Sequence, residues 1–211
     1  MNSIGKSSLF IPEGLHQVLL HACCAPCSSA IIEWLIAHDI KPVIYYFNPN
    51  IFPLEEYEIR KKESQRHAGS LGIRWIDGDY DHDLWLQNVR GLENEPERGK
   101  RCEMCFRHRM LQTAKTAKAE HIAWFATTLA SSRWKNLDQI NAAGLWAEQQ
   151  INRPTNQPNQ LINSSTEVRF WVQNWRKEGL QQRRNELLKE YCFYNQQYCG
   201  CEFSIRPING K

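Results

Sequence analysis

QVLLHACCAPCSSAIIEWLIAH, residues 17–38, is the stretch from which the rest of the chain can be read. Gln17 to Ala22 is dominated by apolar residues, and beyond it Ile31, Ile32, Leu35 and Ile36 recur at helical spacing. The stretch is predicted to be a strand, a turn and a helix. Pro26 suits the first helical turn, where its missing N–H costs nothing, and Ser28 or Ser29 is placed to cap nearby amides. Cys23, Cys24 and Cys27 then fall in the turn at the carboxyl end of the strand.

Working outward, the same alternation returns. KPVIYYF (41–47) is rich in β-branched and aromatic residues and stops at Asn48-Pro49-Asn50, as a strand ending in a turn does. EEYEIRKKESQRHAGSLG (55–72) reads as a helix closed by Gly69 or Gly72. IRWIDGDY (73–80) reads as a third strand, and HIAWFATTL (121–129) as a fourth after an intervening helix. Strands alternating with helices predict an α/β fold with a parallel sheet, whose ligands gather at the carboxyl ends of the strands. Beyond about Ala143 the pattern changes: QQINRPTNQPNQLINSS (149–165) is polar and proline-bearing, as a loop or linker is. VRFWVQNW (168–175) and LQQRRNELLKEYCFY (180–194) have helix-like content. The expected organisation is therefore an α/β core over residues 1–142 carrying both upstream cysteine motifs. A helical C-terminal appendage over 143–211, ending in a C-x-C, packs with it as one unit.

At 211 residues the chain is long enough to bury a real core. The apolar run VLLHACCA is far shorter than the roughly 20 residues that span a bilayer, and no early stretch has the layout of a secretory signal. A cytoplasmic protein with no membrane partner is expected. The net charge of +3 permits a nucleic-acid partner without announcing one. Eight cysteines in an intracellular chain of this size indicate metal or redox chemistry rather than a disulfide scaffold.

Those cysteines are grouped. Cys23, Cys24 and Cys27 share the first turn, Cys102 and Cys105 form a C-x-x-C within RCEMCFRHR, and Cys199 and Cys201 form a C-x-C. Two thiolates at C-x-x-C spacing converge on one metal without straining the backbone, and two such groups at one rim of a sheet complete a four-thiolate site. Spacing alone does not separate an iron-sulfur cluster from structural zinc, since soft thiolates suit both. The adjacent pair Cys23-Cys24 and the surplus thiol Cys27 favour redox chemistry. Cys199 and Cys201 can close only a tight, easily reduced disulfide ring, which Gly200 gives the backbone freedom to form. Cys192 is expected to be a small buried hydrophobe.

At these motifs the sequence closely resembles the cobalamin-independent epoxyqueuosine reductase family, over nearly its whole length. The resemblance is carried by LLHACCAPCSS (19–29), YYFNPNIFPLEEYEIR (45–60), RCEMCFRHRM (101–110), FATTLASSRWKN (125–136) and YCGCEFS (198–204), in that order. It implies a Rossmann-like core of the nucleotide-hydrolase (HUP-like) type, with CCAPCSS filling the turn where ATP-dependent relatives carry a glycine-rich pyrophosphate loop. It implies an oxidoreductase that reduces epoxyqueuosine to queuosine at the tRNA wobble position. By the same resemblance Cys23, Cys24, Cys102 and Cys105 are the ligands of a 4Fe-4S cluster, and Cys199 with Cys201 is a redox-active pair. The resemblance also implies a further iron near the cluster, to which Cys27 could contribute, and no cobalamin is expected. The electron donor is unidentified. The competing readings are a zinc-stabilised nucleic-acid-binding module and a thiol-disulfide oxidoreductase.

Candidate proton donors are His21, Asp79, Asp81, Tyr198 and the tyrosines of YYF. Candidate phosphate contacts are Arg98, Lys100, Arg101, Arg107 and Arg109 around the second cysteine motif, Arg133 and Lys135 after the fourth strand, and Arg176, Lys177, Arg183 and Arg184 in the appendage. Trp134 or Trp175 could stack on an unpaired base.

Overall fold

A computed structural model describes residues 9–153 and 167–205; most of the 149–165 segment expected to be a linker lies outside these. Five strands form one all-parallel sheet: β1 (Gln17–His21), β2 (Lys41–Tyr46), β3 (Trp75–Asp77), β4 (Trp124–Thr127) and β5 (Arg169–Phe170). Their order in space is β3-β2-β1-β4-β5. This is the order of a doubly wound sheet, and its switch point lies between β1 and β4, where the crevice for a ligand opens beyond the carboxyl ends. The central strand β1 carries Val18, Leu19 and Leu20 without exposure, as a parallel strand covered on both faces must.

The helices follow the expected alternation: α1 (Ala25–Ala37), α2 (Leu54–Ser70), α3 (His82–Asn88), α4 (Lys100–Ala119), α5 (Leu137–Ile151) and α6 (Leu180–Glu190). Helix α1 starts directly after Cys24, its N-cap residue, with Pro26 in the first turn. Ser28 and Ser29 do not cap amides. Their hydroxyls donate backward, Ser28 to the Cys24 and Ala25 carbonyls and Ser29 to that of Pro26, and the N-cap residue Cys24 makes no side-chain cap hydrogen bond either.

Two further expectations change. VRFW is not helical: Arg169 N–H bonds the Ala123 carbonyl and Trp171 N–H that of Phe125, both at 2.8 Å, making the segment the edge strand of the sheet. The alternation of buried Val168 and Phe170 with exposed Arg169 is a strand period, too short to stand out beside helix-like neighbours. The division expected at residue 143 falls inside α5, which packs extensively along α4. Residues after 143 thus supply half a helix and a strand to the same α/β layers, and α6 lies on α1.

Gly144 sets the approach of α5 to β5. A Cβ there would meet Phe170 Cε1 at 2.3 Å, and that ring is buried against Phe125. Alanine normally gains about 1 kcal/mol over glycine inside a helix, but displacing a packed ring costs about 1–3 kcal/mol. Gly144→Ala is therefore expected to lower the melting temperature, and a rise in a thermal melt would contradict this packing.

Candidate active site

The turn after β1 and the start of α1 bring Cys23, Cys24 and Cys27 together, with all three sulfurs within 4.8 Å of one another. Cys24 and Cys27, three apart, share a face of the first helical turn, and Cys23 Sγ lies 3.8 Å from Cys24 Sγ. Cys27, left apart from the ligand set above, is thus a full member of this triad. The Cys23 N–H donates to Thr128 Oγ1 (3.2 Å), tying the triad to the end of β4 across the switch point.

Cys102 and Cys105 occupy the first two turns of α4. They are not part of the triad. Cys105 instead packs with Cys199, Cys201, Trp85 and Val89, and Arg98 N–H donates to Cys102 Sγ at 3.2 Å. All eight cysteines are free thiols, and Cys192 is exposed rather than buried, in a left-handed backbone conformation just past α6.

What joins the two motifs is a buried polar network centred on Arg109, one turn after Cys105. Its Nε donates to His21 Nε2 at 3.3 Å and its Nη2 to Asn48 Oδ1, while Asn48 Nδ2 donates to the Ala22 carbonyl at 3.0 Å. His21 Nδ1 sits 2.8 Å from Thr127 Oγ1 and its Nε2 lies 3.1 Å from the Phe47 carbonyl. One guanidinium thus pins α4 to the residues that immediately precede Cys23, and its charge favours the thiolate of both Cys23 and Cys105. A buried cation without a carboxylate is costly unless anions stand near it, and thiolates are the anions this arrangement provides.

The thiols are electrostatically unequal. Hydrogen bonds from Cys24 and Cys27 hold Cys23 well below the usual thiol range against the opposing effect of burial, helped by Lys135 and Arg109. Burial, then the neighbouring thiols, pushes Cys24 up, and its contact with Cys23 raises Cys27 to about 11. Burial raises Cys102 and Cys105 as well. In the C-x-C, a hydrogen bond from Cys201 holds Cys199 well below the usual range, and the same contact raises Cys201. The two thiols of the pair are thus shifted in opposite directions by one contact. Gly200, at φ +102°, allows the pair to turn, and a Cβ there would meet Ile51 Cγ1 at 2.7 Å.

The C-terminal segment is seated by specific contacts. Phe52 N–H bonds the Gly200 carbonyl (2.9 Å), Tyr198 Oη donates to that of Phe52, and Arg60 donates to that of Tyr198 (3.1 Å). His82 bridges the Pro49 carbonyl and Glu202. Two other groups point at sulfur. Gln196 Nε2 donates to Cys24 Sγ at 3.0 Å and reaches Cys27 Sγ at 3.6 Å. The Trp85 N–H favours a Cys105 thiolate, yet as placed it is buried without an acceptor in hydrogen-bonding geometry.

Most of the candidate proton donors are already engaged. His21 is enclosed as described, Tyr46 donates to the Tyr57 carbonyl, Asp81 caps α3 by accepting from Leu84 N–H, and Tyr198 holds Phe52. Asp79 is exposed. Several candidate phosphate contacts are likewise structural. Arg101 donates to the Leu92, Glu93 and Glu95 carbonyls, Arg109 is buried, Arg107 pairs with Glu103, and Arg183 pairs with Glu33, Glu186 and Glu190. Arg176 holds the Ser132 and Lys135 carbonyls. Trp175 is 1 % exposed and stacks on no base, whereas Trp134 is 76 % exposed. Sequence reading missed Asn48, Trp85 and Gln196. Asn48 had a signal, in the Asn-Pro-Asn turn, but that signal also describes an ordinary loop.

His21 carries a testable consequence. Burial, then the Arg109 charge, lowers its pKa from 6.5 to about 3. Between those values the unfolded chain takes up a proton that the folded protein refuses, so stability is full above pH 6.5 and falls as pH drops toward 3. At about 1.4 kcal/mol per pKa unit the loss is several kcal/mol. Thermal melts across this window should fall less steeply for His21→Gln than for wild type, and equal slopes would contradict a neutral buried His21.

Fold and site together define a doubly wound α/β protein that gathers thiols, not a phosphate-binding loop, at its switch point. The sequence profile of the family described as "Epoxyqueuosine reductase QueH" matches residues 18–207. An epoxyqueuosine reductase QueH of Haemophilus influenzae is 43% identical over 204 residues, 97% of this chain and 78% of that protein. The one of Acinetobacter baylyi is 41% identical over 97% of this chain and 87% of its own length. That of Thermotoga maritima is 34% identical over 89% and 90%. The chain belongs to the epoxyqueuosine reductase QueH family.

Proposed function

We propose that this chain is an iron-sulfur oxidoreductase that reduces epoxyqueuosine to queuosine at the wobble position of tRNA, the last step of queuosine biosynthesis. The observation that carries the reading is the buried Arg109 network, which fixes two cysteine motifs on either side of one cation at the switch point of the sheet. Family membership supplies the substrate. The assigned ligands of a 4Fe-4S cluster are Cys23, Cys24, Cys102 and Cys105, with Cys27 beside them for a further iron. The donor set suits such a group: the thiols are soft, Gln196 donates to two of them, and the unsatisfied Trp85 N–H beside Cys105 is matched by a sulfur acceptor.

Reducing the epoxide to an alkene breaks two C–O bonds, releases the oxygen as water and consumes two electrons and two protons. When bound, the cluster passes electrons one at a time and its iron can polarise an oxygen. Cys199 and Cys201 fill the remaining need: the dithiol gives up two electrons and two protons as it closes to a disulfide, and an external reductant restores it. Their packing against Cys105 supports that role.

The rival reading is a zinc-stabilised nucleic-acid-binding module, since a thiol triad suits zinc equally. Anaerobic purification with metal analysis separates the two. Brown protein with broad visible absorbance and several irons per chain is expected, and colourless protein with stoichiometric zinc would contradict the proposal. Among the described residues no helix is long and apolar enough to cross a membrane.

A further inference from the structure

We infer that Trp134 is a stacking platform for an unpaired anticodon-loop base of the substrate RNA, held at the mouth of the thiol site by a loop that two arginines make rigid. The inference rests on the proposed tRNA substrate. Trp134 follows β4 and lies in the connection to α5, at the sheet rim where the triad sits. It is the one exposed tryptophan among the described residues, at 76 %, and it makes no ring contact with them.

An exposed indole on a floppy loop would be unremarkable. This loop is not floppy. Arg98 Nε donates to the Trp134 carbonyl (2.9 Å) and Arg98 Nη2 to that of Arg133 (3.4 Å). Arg176 Nη2 donates to the Ser132 and Lys135 carbonyls (2.5 and 2.8 Å), and Gln181 to that of Ser131 (2.9 Å). Every carbonyl from Ser131 to Lys135 is thereby held, while the Trp134 side chain is left in solvent. Arg98 is itself locked: its backbone is left-handed at φ 69°, its carbonyl accepts from Gln139, and its N–H donates to Cys102 Sγ. Left-handed backbone is unfavourable for a residue other than glycine, so the surrounding contacts must hold it there. The result is a rigid connection from a proposed cluster ligand, through one residue, to the backbone of Trp134.

The surroundings specify the partner. Arg98, Arg133, Lys135 and Arg176 cluster on this loop and its clamps, and none of them forms an ion pair among the described residues, in contrast to Arg107 and Arg183 elsewhere. A flat aromatic surrounded by unneutralised cations matches the two faces of single-stranded nucleic acid, stackable bases on a phosphate backbone. A base inside a duplex offers no face to stack on. The platform therefore takes an unpaired base, and stacking it next to the centre would hold the loop while the modified base enters.

The test uses the full-length, iron-loaded protein under anaerobic conditions and a fluorescently labelled anticodon stem-loop RNA. Trp134→Ala is expected to weaken binding roughly 5- to 100-fold and to raise KM more than it lowers kcat. Trp134→Phe should recover most of the affinity, and iron content, visible spectrum and melting should match wild type in both. Wild-type affinity in Trp134→Ala, or equal competition by a duplex RNA of the same length, would overturn the platform while leaving the assigned reaction intact. If Trp134→Ala binds RNA normally and slows only with a protein reductant, Trp134 docks the electron donor instead. Tight wild-type binding without turnover would contradict the assigned reaction and not the platform.

Discussion

Alanine at Cys23, Cys24, Cys102 or Cys105 is expected to remove most of the iron and visible absorbance, because losing one of four thiolates opens the cluster to oxidation and release. The four positions come from two segments far apart in sequence, the turn before α1 and the first turns of α4, joined through Arg109, His21 and Asn48. Metal bound across them is also a fold cross-link, so these variants should melt several degrees lower than the loaded wild type. The sulfur triad sharpens the comparison, since the Cys27 sulfur lies within 4.8 Å of those of Cys23 and Cys24. Cys27→Ala should keep the cluster. If Cys27→Ala loses iron while Cys102→Ala keeps it, the ligands are drawn from the triad and the assignment of Cys102 is wrong.

Serine at Cys199 or Cys201 is expected to do the opposite, leaving the brown cluster and RNA binding while abolishing most multiple-turnover activity. Serine nearly preserves volume but cannot form the disulfide, so only the electron supply is removed. Cys199 is the less buried of the pair and Cys201 holds its pKa well below the usual thiol range, both of which favour it as the thiol that exchanges with an external reductant. A single turnover driven by a chemical reductant acting directly on the cluster should survive better than repeated turnover. Loss of the cluster in both variants would make these cysteines ligands, which their contact with Cys105 makes the sharpest alternative. Full turnover in both would place the electron supply elsewhere.

Much of the architecture was legible because local pattern and tertiary role coincide in it. The β1–turn–α1 unit has an apolar strand, a proline at the helix start and a helical stripe, and all three mean the same thing in sequence and in space. β5 was not legible: two residues of edge strand carry too little pattern to outweigh helix-forming neighbours. Of the site, the cysteine motifs stood out by spacing, and the C-x-C with its glycine by backbone geometry. The triad membership of Cys27 was within reach, since a residue three beyond Cys24 must share its helical face. The roles of the arginines were not. Arg109, Arg176 and Arg183 look alike in a sequence, yet one bridges two cysteine motifs, one clamps a loop and one pairs with three glutamates. Only burial and long-range partners distinguish them. Trp134 and Trp175 diverged for the same reason, one left in solvent and the other closed into an aromatic cluster with Trp34 and Trp171.

The central claim is chemical, that this thiol centre converts an epoxide in tRNA to an alkene, and anaerobic turnover measures it directly. Iron-loaded protein incubated with epoxyqueuosine-containing tRNA and a chemical reductant, followed by nucleoside analysis, should yield queuosine in proportion to enzyme and time, and none when reductant is withheld. Unchanged epoxyqueuosine, with the protein fully iron-loaded and the tRNA bound, would contradict it.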